Sequence, residues 1–221
     1  MPFKAILDYL APQSCLNCAQ EGQLLCEACL PLAIIAKAST CYHCNASTLG
    51  FGVCSTCRRH SPLRGVVVGS HYEGHVKELI GALKYNRSRS SAYLAARIIV
   101  LKLADLEFDI IVPVPTAAGH YAKRGYNQAA LIASELSVIC KRPVAGVLWR
   151  LGETGQVGHN RSERLRQLAG QISLRQAALV AGSRVLIVDD VLTTGATLAE
   201  CAHVLKAAKA KSVWGAVVAK H

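Results

Sequence analysis

The chain contains no apolar run of the roughly 18–20 uninterrupted residues that a membrane-spanning helix requires. Its first ten residues carry Asp8 inside their apolar stretch, and no small-residue cleavage pattern follows, which argues against a secretory signal peptide. Low-complexity tracts are absent, and the only internal repeats are the cysteine pairs discussed below. We therefore expect a cytoplasmic protein without a membrane span.

Several patterns that would indicate catalysis or single-strand binding are also missing. No serine, histidine and aspartate series indicates a hydrolase triad, and no aromatic array is typical of surfaces that stack nucleic-acid bases. Four histidines after the cysteine-rich segment have no visible catalytic partner, so we assign no general base. They are His71, His75, His120 and His159.

Acidic residues are scarce, since 14 Asp and Glu face 25 Lys and Arg, for a net charge of +11. The imbalance is uneven, because residues 1–61 carry net +1 and residues 62–221 carry net +10. A basic domain favours anionic partners such as phosphates, nucleotides or nucleic acid. Solubility alone explains a modest positive charge about as well.

Eight of the ten cysteines fall in four Cys-x-x-Cys pairs near the start of the chain. Each pair supplies two thiolates on one tight turn, and two pairs complete a tetrahedral four-cysteine zinc site. We therefore expect two structural zinc ions, whose removal unfolds this segment. The eight predicted ligands are Cys15, Cys18, Cys26, Cys29, Cys41, Cys44, Cys54 and Cys57.

The gaps between these pairs favour sequential pairing, the first pair with the second and the third with the fourth. A cross-braced arrangement is the alternative for the metal sites. Disulfides or redox cysteines are the alternative to metal, and the lack of a secretion signal disfavours them. We predict a zinc-ribbon module at residues 1–61, with a boundary at Ser61 and Pro62, and a second domain at residues 62–221.

The second domain alternates apolar strands with amphipathic helices. Strands that are apolar on both faces indicate a parallel sheet covered by helices on both sides, so we predict an α/β fold. The predicted strands are residues 66–68, 110–112, 144–149, 185–188 and 213–218. The predicted helices are residues 76–85, 93–103, 129–139 and 196–208, a short one at 3–10, and a segment at 161–178 that is polar and then helical.

The sharpest functional pattern follows the strand at residues 185–188. Two adjacent carboxylates, Asp189 and Asp190, stand at its carboxyl end, where ligands of open α/β sheets bind. Ionised carboxylates accept hydrogen bonds from sugar hydroxyls, and could help to hold a magnesium ion carried by a pyrophosphate. A strand end with a solvated acid and a helix cap is the alternative interpretation.

The next loop is rich in hydroxyls and leads directly into the helix at 196–208. Backbone amides at a helix start form an anion site, and a glycine lets the backbone approach its ligand. The joint pattern predicts a site for a ribose 5-phosphate group, and it lacks the Gly-Lys-Ser/Thr ending of a P-loop. The loop consists of Thr193, Thr194, Gly195, Ala196 and Thr197.

Residues 185–198 resemble the phosphoribosyl pyrophosphate signature of type I phosphoribosyltransferases, and with the cysteine pairs the whole chain resembles the ComF family. Further stretches carry the resemblance along the chain. They are Tyr72-Glu-Gly-His-Val-Lys77, Leu83-Lys-Tyr85, Val112-Pro-Val-Pro115, Arg124-Gly-Tyr-Asn-Gln128, Gln156-Val-Gly158 and Arg161-Ser-Glu-Arg164. One departure is residues 117–120, where the family often has several arginines.

The resemblance implies a parallel sheet of about five strands with a small hood, Pro115 in a pyrophosphate loop, Arg124 near the ligand, and residues 152–165 in a closing loop. It also implies magnesium with phosphoribosyl pyrophosphate.

Two functions stay open. One is a competence protein that binds this ligand and handles internalised single-stranded DNA, with a helicase or DNA-processing partner. The other is an active phosphoribosyltransferase that transfers ribose 5-phosphate to a base or amine.

Overall fold

A computed structural model describes residues 14–34, 39–86, 89–103, 106–150 and 170–221. The predicted α/β class is confirmed, with a parallel sheet between helical layers. The strands are β1 (Val66–His71), β2 (Ile110–Pro113), β3 (Leu148–Arg150), β4 (Ile172–Leu174), β5 (Arg184–Leu192) and β6 (Ser212–Lys220). The helices are α1 (Leu30–Ala33), α2 (Gly74–Asn86), α3 (Arg89–Leu103), α4 (Ala118–Arg124), α5 (Gln128–Cys140) and α6 (Ala196–Ala207).

Four strands form the main sheet in the order β1-β6-β5-β2, and all neighbours are parallel. The register pairs Val185 of β5 with Val213 of β6 and with Ile110 of β2. β5 therefore lies in the sheet interior, which explains why Val185–Val188 are all apolar and fully buried. Parallel order also brings the carboxyl ends of β2, β5 and β6 to one edge.

The two faces of the sheet are covered by different helices. Leu186 and Val188 pack with residues of α2, α3 and α5, while Val185 and Ile187 pack with residues of α6. This split follows from the strand period of two, which sends successive side chains to opposite faces. Among the described residues, no helix is long and apolar enough to cross a bilayer.

The cysteine-rich segment contributes to both of these cores. Leu25 and Leu30, beside the first cysteine group, are buried in the cluster that contains α2 and α3. Tyr42 and Val53, beside the second group, are buried in the cluster that contains α6. The buried residues beside the two groups thus pack on opposite faces of the sheet, while half-buried Phe51 of the second half packs against the first cluster.

The predictions for residues 144–149 and 161–178 need correction. Val144 makes one parallel bridge to Ile111, and then the chain leaves the main sheet as β3, which pairs antiparallel with β4. The described main sheet therefore has four strands rather than the five expected. Residues 172–174 form a strand instead of the predicted helix, because pairing with β3 buries Ile172. The predicted helix at 3–10 lies outside the described residues.

Candidate ribose-phosphate site

The acid pair lies near the carboxyl end of β5, inside the strand rather than after it, because β5 continues to Leu192. Asp189 stands opposite Val217 of β6, and both carboxylates are partly buried. The backbone N–H of Asp190 donates to Oδ1 of Asp189 at 2.9 Å, which fixes the first side chain against its own strand. Lys84, near the end of α2, places its Nζ 3.2 Å from Oδ2 of Asp190.

The two carboxylates differ in their electrostatics. Burial and the neighbouring charge of Asp190 together raise the pKa of Asp189 to about 8, against the opposing effect of Lys84. At neutral pH the ligand-free protein therefore favours a protonated Asp189. A bound cation or hydroxyl donors would stabilise the doubly ionised form, so binding at this pair is coupled to proton release.

The hydroxyl-rich loop lies directly beyond the acids. Gly195 is the N-cap of α6 with φ of 76°, in the left-handed region that favours glycine. The backbone N–H of Ala196 donates to Oγ1 of Thr194 at 3.3 Å. Thr193 is exposed, and Thr194 and Thr197 are half-buried, so these hydroxyls lie at the surface of a helix start suited to an anion.

A second loop follows β2 at the same sheet edge. The backbone N–H of Val114 donates to the carbonyl of Val188 at 2.9 Å, and Nδ2 of Asn127 donates to the carbonyl of Val114 at 2.8 Å. These bonds hold buried Pro115 close to the start of the acid pair. Arg124 ends α4, where Gly125 forms a left-handed C-cap.

A cavity of about 450 Å³ adjoins this second loop. Pro115 and Thr116 form one wall, while Tyr121 of α4 and Trp149 of β3 supply aromatic surface that is about half exposed. Arg175 stacks on the Trp149 ring with its guanidinium carbon 4.2 Å from the ring centroid. A planar apolar group fits such a lining better than a sugar phosphate does.

Lys84 is a functional candidate that the sequence alone does not single out, because a single lysine is more often a solvated surface charge. Its stretch, residues 83–85, does carry the family resemblance. The structure adds a reason for the stretch. Oη of Tyr126 donates to the carbonyl of Leu83 at 2.6 Å, which joins the block at 124–128 to the end of α2.

The predicted closing loop at 152–165, with Arg161 and Arg164, lies outside the described residues. The structure thus brings together the acid pair, the threonine loop and Pro115, which are contributed by β5, α6 and the segment after β2. Arg124 follows Pro115 by nine residues along the chain, and no described contact joins its side chain to the acid pair or the threonine loop. The assignment of these residues to one ligand stays a prediction.

The cysteines form the two groups expected from sequential pairing, which is confirmed. Within each group the four sulfur atoms all lie within 4.8 Å of one another. Backbone N–H groups of Cys18 and Cys26 lower the pKa of Cys15 to about 6. Against a hydrogen bond from Asn17, the Cys26 side chain and burial raise the pKa of Cys29 to about 12. Each group can hold one structural zinc, and four thiolates leave no position for a substrate.

The sheet order and the acids and threonines at the end of β5 define a protein with a phosphoribosyltransferase-type domain. Residues 87–221 match the family model described as phosphoribosyl transferase domain. With this match and the relatives below, the chain belongs to the ComF family of phosphoribosyltransferase-domain proteins.

Two curated relatives cover most of this chain. DNA utilization protein YhgH of Escherichia coli strain K12 is 31% identical over 173 residues, which span 73% of this chain and 75% of that protein. Competence protein F of Haemophilus influenzae is 29% identical over 215 residues, which span 90% of this chain and 92% of that protein.

One similar solved structure is glutamine phosphoribosylpyrophosphate amidotransferase from B. subtilis. It is 17% identical with a TM-score of 0.43, and the match covers 62% of this chain and 30% of that one.

Proposed function

We propose that this protein binds phosphoribosyl pyrophosphate with magnesium, and that it acts on internalised single-stranded DNA in the cytoplasm during natural transformation. The main support for this ligand is that the acid pair and the α6 loop lie around one end of β5. Asp189 and Asp190 would accept hydrogen bonds from the ribose hydroxyls. Residues 193–197 would bind the 5-phosphate through backbone amides and threonine hydroxyls.

Magnesium would neutralise the pyrophosphate, and the acid pair would contribute to its coordination. Partly buried Asp189 suits this role, because a bound cation would favour its ionised form. Pro115 would approach the pyrophosphate from the β2 side. Lys84 would orient Asp190 through their 3.2 Å ion pair.

Support for a role with DNA is of a different kind. Residues 62–221 carry net +10, which favours a polyanion. Two relatives with high coverage are named DNA utilization protein and competence protein. The cysteine module and the basic surface would contact DNA or a DNA-processing partner such as a helicase.

Calorimetry with magnesium and phosphoribosyl pyrophosphate tests the ligand site. We expect Asp189→Asn with Asp190→Asn to weaken binding by at least about hundredfold, because two charge-assisted acceptors are lost. Asp109→Asn is the matched control, since Asp109 pairs with Arg184 at the opposite end of β5. Equal binding by the double variant and the wild type would refute the site.

Ribose 5-phosphate and pyrophosphate, titrated separately, divide the site into its two ends. Ribose 5-phosphate should compete with phosphoribosyl pyrophosphate by binding the α6 loop and the acid pair. The double variant Thr194→Val with Thr197→Val should weaken the binding of ribose 5-phosphate. Competition by pyrophosphate alone would place the ligand on the Pro115 side and contradict the ribose assignment.

The DNA role is tested by fluorescence anisotropy with a labelled single-stranded oligonucleotide. Affinity should fall steeply with salt, since each phosphate contact releases counterions. Salt-independent binding, or none, would contradict the role in DNA handling and leave the ligand site standing.

A second candidate function is an active phosphoribosyltransferase, and the cavity beside Pro115 favours it. Its aromatic walls, Tyr121 and Trp149, suit a planar acceptor next to the pyrophosphate loop. Incubation with phosphoribosyl pyrophosphate and a panel of nucleobases should then release pyrophosphate. Release that depends on one base and disappears in Trp149→Ala would establish this function, and no release with any base would exclude it for the panel.

A further inference from the structure

We propose that Tyr42 is a positioning residue that holds the α6 loop, so that the second cysteine group controls ligand affinity and the first does not. The inference rests on the proposed function only for its affinity readout. Tyr42 lies between Cys41 and Cys44 in the second group and is only 4% exposed. No sequence pattern connects it to the ribose-phosphate site, which lies some 150 residues further along the chain.

The Tyr42 ring packs directly on Gly195, the N-cap of α6. A Cβ added to Gly195 would lie 2.9 Å from Cδ2 and 3.2 Å from Cε2 of Tyr42. These separations are shorter than ordinary carbon contacts, so only glycine fits at this point. Gly195 thus meets two requirements, a left-handed φ of 76° and contact with an aromatic ring.

Tyr42 is itself fixed at both ends. Its Oη lies 2.7 Å from Oγ of Ser61, and Ser61 donates onward to the carbonyl of Leu63 at 2.9 Å. Its backbone belongs to the tight turn in which Asn45 N–H donates to the carbonyl of Cys41 at 2.9 Å. The ring position therefore depends on the turn that presents two of the four thiolates.

A further bond connects the same turn to the main sheet. Nζ of Lys220, the last residue of β6, donates to Oδ1 of Asn45 at 2.6 Å. His221 then donates its backbone N–H to the carbonyl of Leu192, which precedes the α6 loop, at 3.2 Å. The second group thus contacts the α6 loop through Tyr42. It is also connected, through Lys220 and His221, to Leu192, the residue that precedes the loop.

The first group has no corresponding contact among the described residues. Its buried Leu25 and Leu30 pack into the cluster of α2 and α3, on the other face of the sheet. Losing metal from the first group should therefore lower stability without altering the loop. Losing it from the second group should release the Tyr42 ring and disorder the amides of residues 194–198.

Hydrogen exchange on the ligand-free protein tests this without depending on any ligand. Tyr42→Leu should increase exchange at residues 194–198 at least about tenfold, because the ring that covers Gly195 is lost. Tyr42→Phe keeps the ring and should stay within about twofold of the wild type. Leu30→Ala, the matched control in the first group, should lower the melting temperature and leave this exchange unchanged.

The same variants are then titrated with magnesium and phosphoribosyl pyrophosphate. Tyr42→Leu should bind at least about tenfold more weakly, with Tyr42→Phe and Leu30→Ala close to the wild type. Unchanged exchange in Tyr42→Leu overturns the inference. Absent binding in the wild type refutes the proposed function instead, while the exchange result still decides the role of Tyr42.

Reciprocity provides a test on the unaltered chain, which is needed if Tyr42→Leu fails to fold. If the second group raises ligand affinity, then ligand must stabilise metal in the second group by the same factor. At equilibrium with a competing chelator and excess magnesium, phosphoribosyl pyrophosphate should raise the zinc affinity of one site per chain and leave the other unchanged. A raised affinity at both sites, or at neither, overturns the inference, and Cys15→Ser identifies which site responds.

Discussion

The two cysteine groups have the same ligands and the same Cys-x-x-Cys turns, yet they differ in what surrounds them. The first group packs through Leu25 and Leu30 on the helical face formed by α2 and α3. The second packs through Tyr42 on the start of α6, where the predicted phosphate loop lies. Identical coordination chemistry can therefore support general stability in one place and a specific ligand loop in another.

This difference follows from sheet geometry rather than from metal chemistry. Successive side chains of β5 point to opposite faces, so each face has its own core and its own helices. The two cysteine groups, which pack on different faces, therefore contact different helices of the second domain. Matched changes in the two groups should therefore have different consequences.

Removing one thiolate from each group should have the largest effect. Cys15→Ser and Cys41→Ser should each reduce the zinc content by one ion and lower the melting temperature by about 10 °C or more, since metal binding contributes directly to folding. Only Cys41→Ser should also weaken the binding of phosphoribosyl pyrophosphate. Metal analysis, calorimetric melting and ligand titration measure the three quantities. Equal losses of ligand affinity would break the comparison.

A cavity in the first group's core should have a smaller but still large effect. Leu25 is fully buried, so Leu25→Ala should cost about 2–5 kcal/mol of unfolding free energy. Ligand affinity should stay within about twofold of the wild type at a temperature where the variant is folded. Urea unfolding gives the free energy, and a tenfold affinity loss would show that the first group also reaches the site.

The pH profile of binding separates loop effects from effects on the acids. The pKa of Asp189 is raised to about 8, so the folded protein holds a proton that the unfolded chain has lost. Stability should therefore fall as pH rises from about 4 to 8, and affinity for the magnesium-bound ligand should rise toward pH 8.

Asp190→Asn removes the like charge and should move the midpoint of this affinity profile to lower pH. Tyr42→Leu should weaken binding at every pH with its midpoint unchanged, because it alters the loop and leaves the acids in place. Isothermal titration from pH 6 to 9 distinguishes the two. A shifted midpoint in Tyr42→Leu would show that Tyr42 acts through the acid pair.

The polar links between each group and the main fold should have the smallest effects. Arg97 of α3 makes two hydrogen bonds to the Glu27 carboxylate, at 2.7 and 2.8 Å, and Glu27 is largely exposed. Glu27→Gln should lower the melting temperature by about 4 °C at most and leave affinity unchanged. Lys220→Met removes the hydrogen bond to Asn45 of the second group. It should change the melting temperature no more than Glu27→Gln does, but it should reduce ligand affinity measurably.

Local sequence patterns predicted much of this molecule. The buried strand at 185–188, the acids after it and the helix that begins at Ala196 are contiguous, so pattern and propensity suffice to place them. The sequential pairing of cysteines followed from short gaps in the same way. The prediction failed at residues 144–149 and 172–174, because β3 pairs with a segment more than 20 residues away instead of continuing the main sheet.

The amino-acid sequence by itself determined the chemistry: eight thiolates in four pairs, and two acids before a hydroxyl-rich helix start. Tertiary structure alone decided which groups meet, such as Lys84 with Asp190 and Tyr42 with Gly195. Ligand types are properties of single side chains and their near neighbours. Contacts between distant residues depend on which sheet face each segment packs against, and that is settled only when both cores are filled.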